Sequence, residues 1–163
     1  MNIPAKVLAI TNNFLDAADT AVPGFIQGLY LVGSVALGDF QAQSSDVDFV
    51  VVSAAPPSEA ELQGLAAAHA SLRKAYPDLN FDGPHLTWAA LAAGPQACAP
   101  VPFNHEGNFE PSGNFALDPV TWHELVDHGV VLRGPTLDKT MVWYDVAILR
   151  AWMLNNYQSY WLP

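Results

Sequence analysis

A single cysteine, six basic residues and no long apolar run set the first limits on this 163-residue chain. Cys98 has no second cysteine to pair with, which excludes an intramolecular disulfide and a cysteine-built zinc site. It reads as a small buried thiol, compatible with a reducing compartment. Six Lys plus Arg stand against sixteen Asp plus Glu, a formal charge of −10, so neither a basic nucleic-acid groove nor a face for an anionic membrane is expected. A polycationic substrate, or an anion bridged by metal, suits that charge. The opening MNIPAKVLAITNNFLDAAD lacks a signal-peptide core and no stretch of about 18 apolar residues follows, so the reading is cytoplasmic, with no membrane. Histidines occur without HxxxH or HExxH spacing, which leaves zinc chemistry unsupported. What is abundant is apolar: 51% of residues are hydrophobic and 13% charged, against roughly 25% charged in ordinary soluble proteins. That balance implies a folded core, and the length suits one domain.

Along the chain, Val7, Leu8, Ile10, Phe14 and Leu15 share one helical face over residues 5 to about 19, stopped by Pro23-Gly24. Residues 26–32 and 47–52 read as strands, the second nearly all apolar. Ser58 and Glu61 form a capping box for a helix to about Tyr76. Residues 79–88 read as a third strand, edge or bulged, because Gly83-Pro84 interrupts it and proline donates no ladder hydrogen bond. Residues 94–117 show no clear period, as expected of a functional or poorly ordered loop. Asp118-Pro119 begins a helix ending at Gly129, residues 130–132 form a short strand, and Thr136 or Asp138 opens a last helical pattern. The fold class is α/β (α+β), a small mixed sheet flanked by helices.

The chemistry lies between Leu31 and Ser53. A strand ends in Gly33-Ser34, eleven residues intervene, and the next strand opens with Asp46-Val47-Asp48. Strand alternation sets residues 46 and 48 on one face, where two carboxylates repel unless a cation sits between them. Magnesium suits one or two carboxylates with water and substrate phosphates. Gly33 removes a side chain where backbone must approach a ligand, and Ser34 offers its amide and hydroxyl to a phosphate.

Gly33, Ser34, Asp46 and Asp48, with Ser45 before the first aspartate, resemble the signature of the polymerase-β-like nucleotidyltransferases. Within that superfamily the chain looks most like the streptomycin/spectinomycin (aminoglycoside) adenylyltransferase group. The likeness extends to residues 103–107, to the run Asp118-Pro-Val-Thr-Trp-His-Glu-Leu and to Arg133-Gly-Pro135. The resemblance implies a magnesium-dependent transfer of AMP from ATP to a hydroxyl of a small cationic acceptor such as an aminoglycoside. It implies nucleotide contacts at Gly33, Ser34 and Ser45, and metal ligands at Asp46 and Asp48. It also implies a third carboxylate on the strand after the helix, as metal ligand or general base, for which Asp82 is the candidate and Asp78 the fallback.

His85, His105 and Glu106 are candidates to line the acceptor pocket. His123 and His128 fall on a helix as structural residues, and His69 lies in an alanine-rich helix without an evident metal partner. No Lys or Arg occurs between Gly33 and Asp48, although phosphate sites usually contain one. The expected division is a catalytic domain over 1–135 and a C-terminal helix over 136–163, the latter opening a helical domain or docking a partner. Trp152, Tyr157, Tyr160 and Trp161 are the candidate contacts for a second copy or a helical protein. The competing reading is thus a minimal antitoxin-like nucleotidyltransferase module that binds or adenylylates such a partner.

Overall fold

Polar caps decide where several helices begin. The computed structural model describes residues 3–161, with the side chains of Tyr160 and Trp161 outside the described residues. Helix α1, Ala5–Ala21, has no side-chain cap and is held by the buried stripe Val7, Ile10, Phe14, Leu15 and Ala18. Helix α3, Glu59–Ala75, starts at the expected capping box: Ser58 Oγ accepts from the Glu61 amide at 3.4 Å, and Glu61 Oε2 accepts from the Ser58 amide at 2.7 Å. Asp118 Oδ1 accepts from the Thr121 amide at 3.0 Å and opens helix α5, Pro119–Asp127.

The last helix differs from the sequence expectation. Asp138 caps only a turn, accepting from the amides of Thr140 and Met141, and the Trp143 amide then bonds the Leu91 carbonyl at 2.9 Å. Leu137 and Val142 are drawn into the core beside Trp122. Helix α6 therefore starts only at Val146, where Asp145 accepts from the amides of Ala147 and Ile148, and runs to Asn156.

Strands β1 (Gly28–Leu31), β2 (Val47–Ser53), β3 (Phe81–Thr87), β4 (Val101–His105), β5 (Asn108–Gly113) and β6 (Val130–Arg133) form one mixed sheet in the order β5-β4-β3-β2-β1-β6. Among the described residues only β2 and β3 run parallel; the other neighbours are antiparallel. The two short helices are α2, Gly33–Ala36, and α4, Trp88–Ala93. The β3 strand is interior rather than an edge. Its ladder to β2 pairs 47 with 81 and 48 with 82, then resumes at 51 with 85, so Gly83-Pro84 falls in the gap. A Cβ on Gly83 would lie 1.9 Å from the Phe49 carbonyl oxygen, so the two strands approach there only because residue 83 is glycine.

Residues 94–117, expected as a loop, contain the β4–β5 hairpin. Glu106 and Gly107 both adopt positive φ, +50° and +77°, as a tight two-residue turn requires. The alternation was masked by prolines at tolerated places: Pro102 at a register shift and Pro111 on the edge strand.

The sheet has two covered faces. Leu29, Leu31, Val47, Phe49, Val51 and Phe81 pack under α1 and α3. Tyr30, Val32, Val50, Val52 and Leu86 pack against Trp122 and Leu125 of α5, Leu91 of α4 and Val142. Inside the first core, His69 of α3 meets His85 of β3 with their Nε2 atoms 3.0 Å apart. Phe14, Phe49, Phe81 and Phe109 surround the pair, and neither Nδ1 has a partner. Burial holds His69 well below 6.5 and His85 at about 3.

Both rings are neutral in the fold, so their stabilisation is complete above pH 6.5 and is lost as pH falls toward their folded values. At pH 5 an unfolded histidine gains about 2 kcal/mol by protonation that a buried one forgoes. Replacing both by Leu is expected to flatten the dependence of the thermal midpoint between pH 7 and 5. Equal slopes in wild type and variant would contradict this account.

Candidate active site

Immediately after β1 the Val32 amide bonds the Asp48 carbonyl at 3.0 Å, and the chain turns away at Gly33 with φ +64° into α2. A Cβ on Gly33 would lie 2.1 Å from Asp48 Oδ2, so this turn tolerates no side chain. The Gly33 amide donates to Glu124 Oε1 at 2.9 Å. Beside it, Ser34 Oγ is buried without a hydrogen-bond partner.

Asp48 and Asp82 are register partners across the parallel β2–β3 pair. They share the face that α5 covers, because even-numbered residues of β1 and β2 such as Tyr30, Val50 and Val52 point to that side. Asp82 is 4% exposed; Oδ2 accepts from the Glu106 amide at 3.0 Å, while Oδ1 is buried and unpartnered. Burial, then repulsion from Asp46, Asp82 and Glu124, pushes Asp48 up to about 6. Burial raises Asp82 as well, against the opposing Glu106 amide and nearby His105. Burial raises Glu124, against its bond from Gly33.

These groups line an open cleft of about 160 Å³ with Gly33, Phe115 and Thr121, and among the described residues no Lys or Arg lines it. Crowded carboxylates with raised affinity for protons are a seat for another cation. The unpartnered Asp82 oxygen and the desolvated Asp48 carboxylate fit a hard divalent ion, which takes oxygen ligands and keeps several waters. Among the described residues, no three His, Cys, Asp or Glu side chains stand close enough together to form a complete metal cage.

The remaining candidates are dispersed around this centre. Asp46 is exposed just before β2, its Oδ1 accepting from Asn80 Nδ2 at 3.1 Å, and Asn80 in turn accepts from Arg73 at 3.0 Å. Ser45 Oγ accepts from the Gln41 amide at 3.0 Å and closes the turn ahead of Asp46. Asp78 is exposed in the turn after α3, away from the cleft lining. His105, at the end of β4, is exposed with its ring 4.4 Å from that of Phe115, which lines the cleft. Glu106 contributes its backbone amide to Asp82.

His85 is not an acceptor-pocket residue. It lies on the opposite face, 4% exposed, paired with His69, because three residues along a strand from Asp82 reverse the side. His123 is structural as expected, buried with Nε2 accepting from the Asp145 amide at 3.2 Å. Cys98 is only half-buried. Glu124 is the site residue missed by the sequence reasoning. The one signal for it was its place in the run 118–125, since no spacing connects it to Gly33.

Residues 12–84 match the family model described as the nucleotidyltransferase domain, a span that includes Gly33, Ser34, Asp46, Asp48 and Asp82. The matched span is just under half of the chain and takes in β1, β2 and the start of β3 with the helices between them. Its fold is similar to that of spectinomycin adenyltransferase AAD(9) from Enterococcus faecialis, crystallised with ATP and spectinomycin. The TM-score is 0.65 and the identity 12%, over 93% of this chain and 66% of that one. The chain thus spans slightly less than two thirds of that enzyme, and the likeness is one of fold. Two toxin–antitoxin structures, one with AMP-PNP and one a mutant of MntA-HpeT, align over 90% of both chains at 18% and 17% identity, each with a TM-score of 0.44. No curated protein matches the sequence significantly. Among the described residues, no helix is long and apolar enough to cross a membrane.

A carboxylate pushed up to about 6 from 3.8 stabilises the fold fully below pH 3.8, and that contribution is lost as pH rises through 6. Asp48→Asn is therefore expected to stabilise the ligand-free protein at pH 8, by on the order of 1–2 kcal/mol, and hardly at all at pH 4. Thermal midpoints at the two pH values check this. An Asn variant less stable than wild type at pH 8 would contradict the strain assigned to Asp48.

Proposed function

We propose that this protein is a nucleotidyltransferase that moves AMP from magnesium-bound ATP to a hydroxyl of a small cationic acceptor, with an aminoglycoside or aminocyclitol as leading candidate. The observation that carries the reading is the cleft lined by Asp48, Asp82 and Glu124 and, among the described residues, by no basic side chain. Such a site repels free nucleotide and suits nucleotide that arrives with a divalent cation. The charge of −10 favours a cationic acceptor. The fold shared with spectinomycin adenyltransferase supports the same class.

Asp48 and Asp82 would hold the metal together with Asp46, whose charge acts on both. Magnesium, when bound, would neutralise charge on the phosphates and on the departing pyrophosphate. Gly33 brings backbone close to the phosphates and Ser34 offers them its free hydroxyl, while Ser45 holds the turn that presents Asp46. The acceptor oxygen attacks the α-phosphorus, forming a new P–O bond as the bond to the bridging α–β oxygen breaks and pyrophosphate leaves. Where Asp82 does not share the metal, its unpartnered Oδ1 instead takes the hydroxyl proton as general base. His105 and Glu106, at the rim beside Phe115, are the acceptor-side candidates.

A second reading rests on α6, which buries none of its residues and exposes Val146, Met153 and Leu154, with Tyr157 exposed just beyond it. In that reading a second copy or a helical protein covers Trp152 and Tyr157, with Tyr160 and Trp161 beyond the described side chains, and receives the AMP.

The test is transfer of label from [α-³²P]ATP in the presence of Mg²⁺ and a panel of aminoglycosides and aminocyclitols. The expected result is an adenylylated antibiotic with equimolar pyrophosphate, reduced at least about a thousandfold by Asp48→Asn. Label on a co-purifying protein instead would favour the second reading. Absence of pyrophosphate release with every hydroxylated amine would overturn the first.

A further inference from the structure

The Gly33 amide has a partner that lies outside the glycine-serine and aspartate signature. Glu124 Oε1, from α5, accepts it at 2.9 Å across 91 positions of sequence. Gly33 also faces Asp48 so closely that a Cβ would meet Oδ2. One left-handed turn therefore stands between two carboxylates, gripped through its N–H by one and packed through its Cα against the other. The amide is partly buried, and its hydrogen bond ties α5 to the β1–α2 turn at the cleft, beside the packing of Val32 with Trp122 and Leu125. A turn at φ +64° seated against a charged side chain needs such a restraint, because glycine has many other conformations to visit.

We propose that Glu124 is a positioning residue: its bond to the Gly33 N–H fixes the turn against which the Asp48 carboxylate is set. This rests on the nucleotide-and-cation reading of the cleft. It assigns Glu124 an action through its acceptor oxygen, where direct ligation of a metal would act through its charge. The two are separable. Gln keeps an acceptor oxygen at the same reach and removes the charge, Asp keeps the charge and withdraws the oxygen, and Ala removes both.

Calorimetric titration with Mg-ATP, on variants first shown folded by circular dichroism and thermal midpoint, gives the first readout. Glu124→Ala is expected to weaken binding about tenfold, the usual consequence of leaving a partly buried amide unpaired. Glu124→Asp is expected to behave like the alanine variant, and Glu124→Gln to recover most of the lost affinity. Wild-type affinity in the Asp variant with loss in the Gln variant would overturn the proposal in favour of a charge role, and wild-type affinity in all three would overturn it outright. Amide hydrogen exchange over Gly33–Ala36 gives the second readout without nucleotide. Protection is expected to fall in the Ala variant and to return in the Gln variant; unchanged exchange in the Ala variant would overturn the proposal. Failure of wild type to bind Mg-ATP would instead overturn the proposed function, while exchange still decides whether the turn is locked.

Discussion

Two aspartates placed side by side on the parallel pair β2–β3, facing inward, are the constraint around which this molecule is arranged. Asp48 and Asp82 share a register position and a face, and each is desolvated by the elements above it. Their neighbours are chosen for what they leave out. Gly33 omits the side chain that would strike Asp48, and Gly83 omits the one that would strike the β2 backbone. Compensation is sparse: the Glu106 amide for Asp82, exposed His105 nearby, and, among the described residues, no basic side chain in the cleft lining. Without a cation the fold carries this repulsion as lost stability, and a divalent ion arriving with phosphates would relieve it.

The two faces of the sheet divide the work. Beneath α1 and α3 lies a packed core in which even the polar residues, His69 and His85, are turned toward each other and away from solvent. The opposite face, under α4 and α5, leaves a cleft where strand ends, the segment at Phe115 and α5 converge. Parity along one strand makes the separation: Asp82 falls on the cleft face and His85, three residues later, in the core. The hairpin does double service, extending the sheet beyond β3 and aiming the Glu106 amide at Asp82.

Much of this was legible in the residues. Apolar periodicity and caps gave α1, α3 and α5 within a few residues, and Gly33, Ser34, Asp46 and Asp48 pointed to the correct pair of strands. What escaped was decided by tertiary contact. Pro102 and Pro111 hid the β4–β5 hairpin because a register shift and an edge position accommodate them. The helical pattern from Thr136 broke because Leu137 and Val142 gain more from burial beside Trp122 than from continuing a helix. His85 looked like an acceptor contact because its face depends on strand parity through Gly83-Pro84. Glu124 was invisible as a site residue because its link to Gly33 exists only after α5 docks on the sheet.

The central claim is that Asp48 and Asp82 form a cation seat completed by nucleotide. Electron paramagnetic resonance of Mn²⁺, titrated with wild type and with Asp48→Asn in the presence and absence of a non-hydrolysable ATP analogue, tests it most directly. The account predicts weak binding of the ion alone by wild type, binding tightened by the analogue, and loss of both in the variant. Equal Mn²⁺ binding by wild type and variant, with no effect of the analogue, would contradict it.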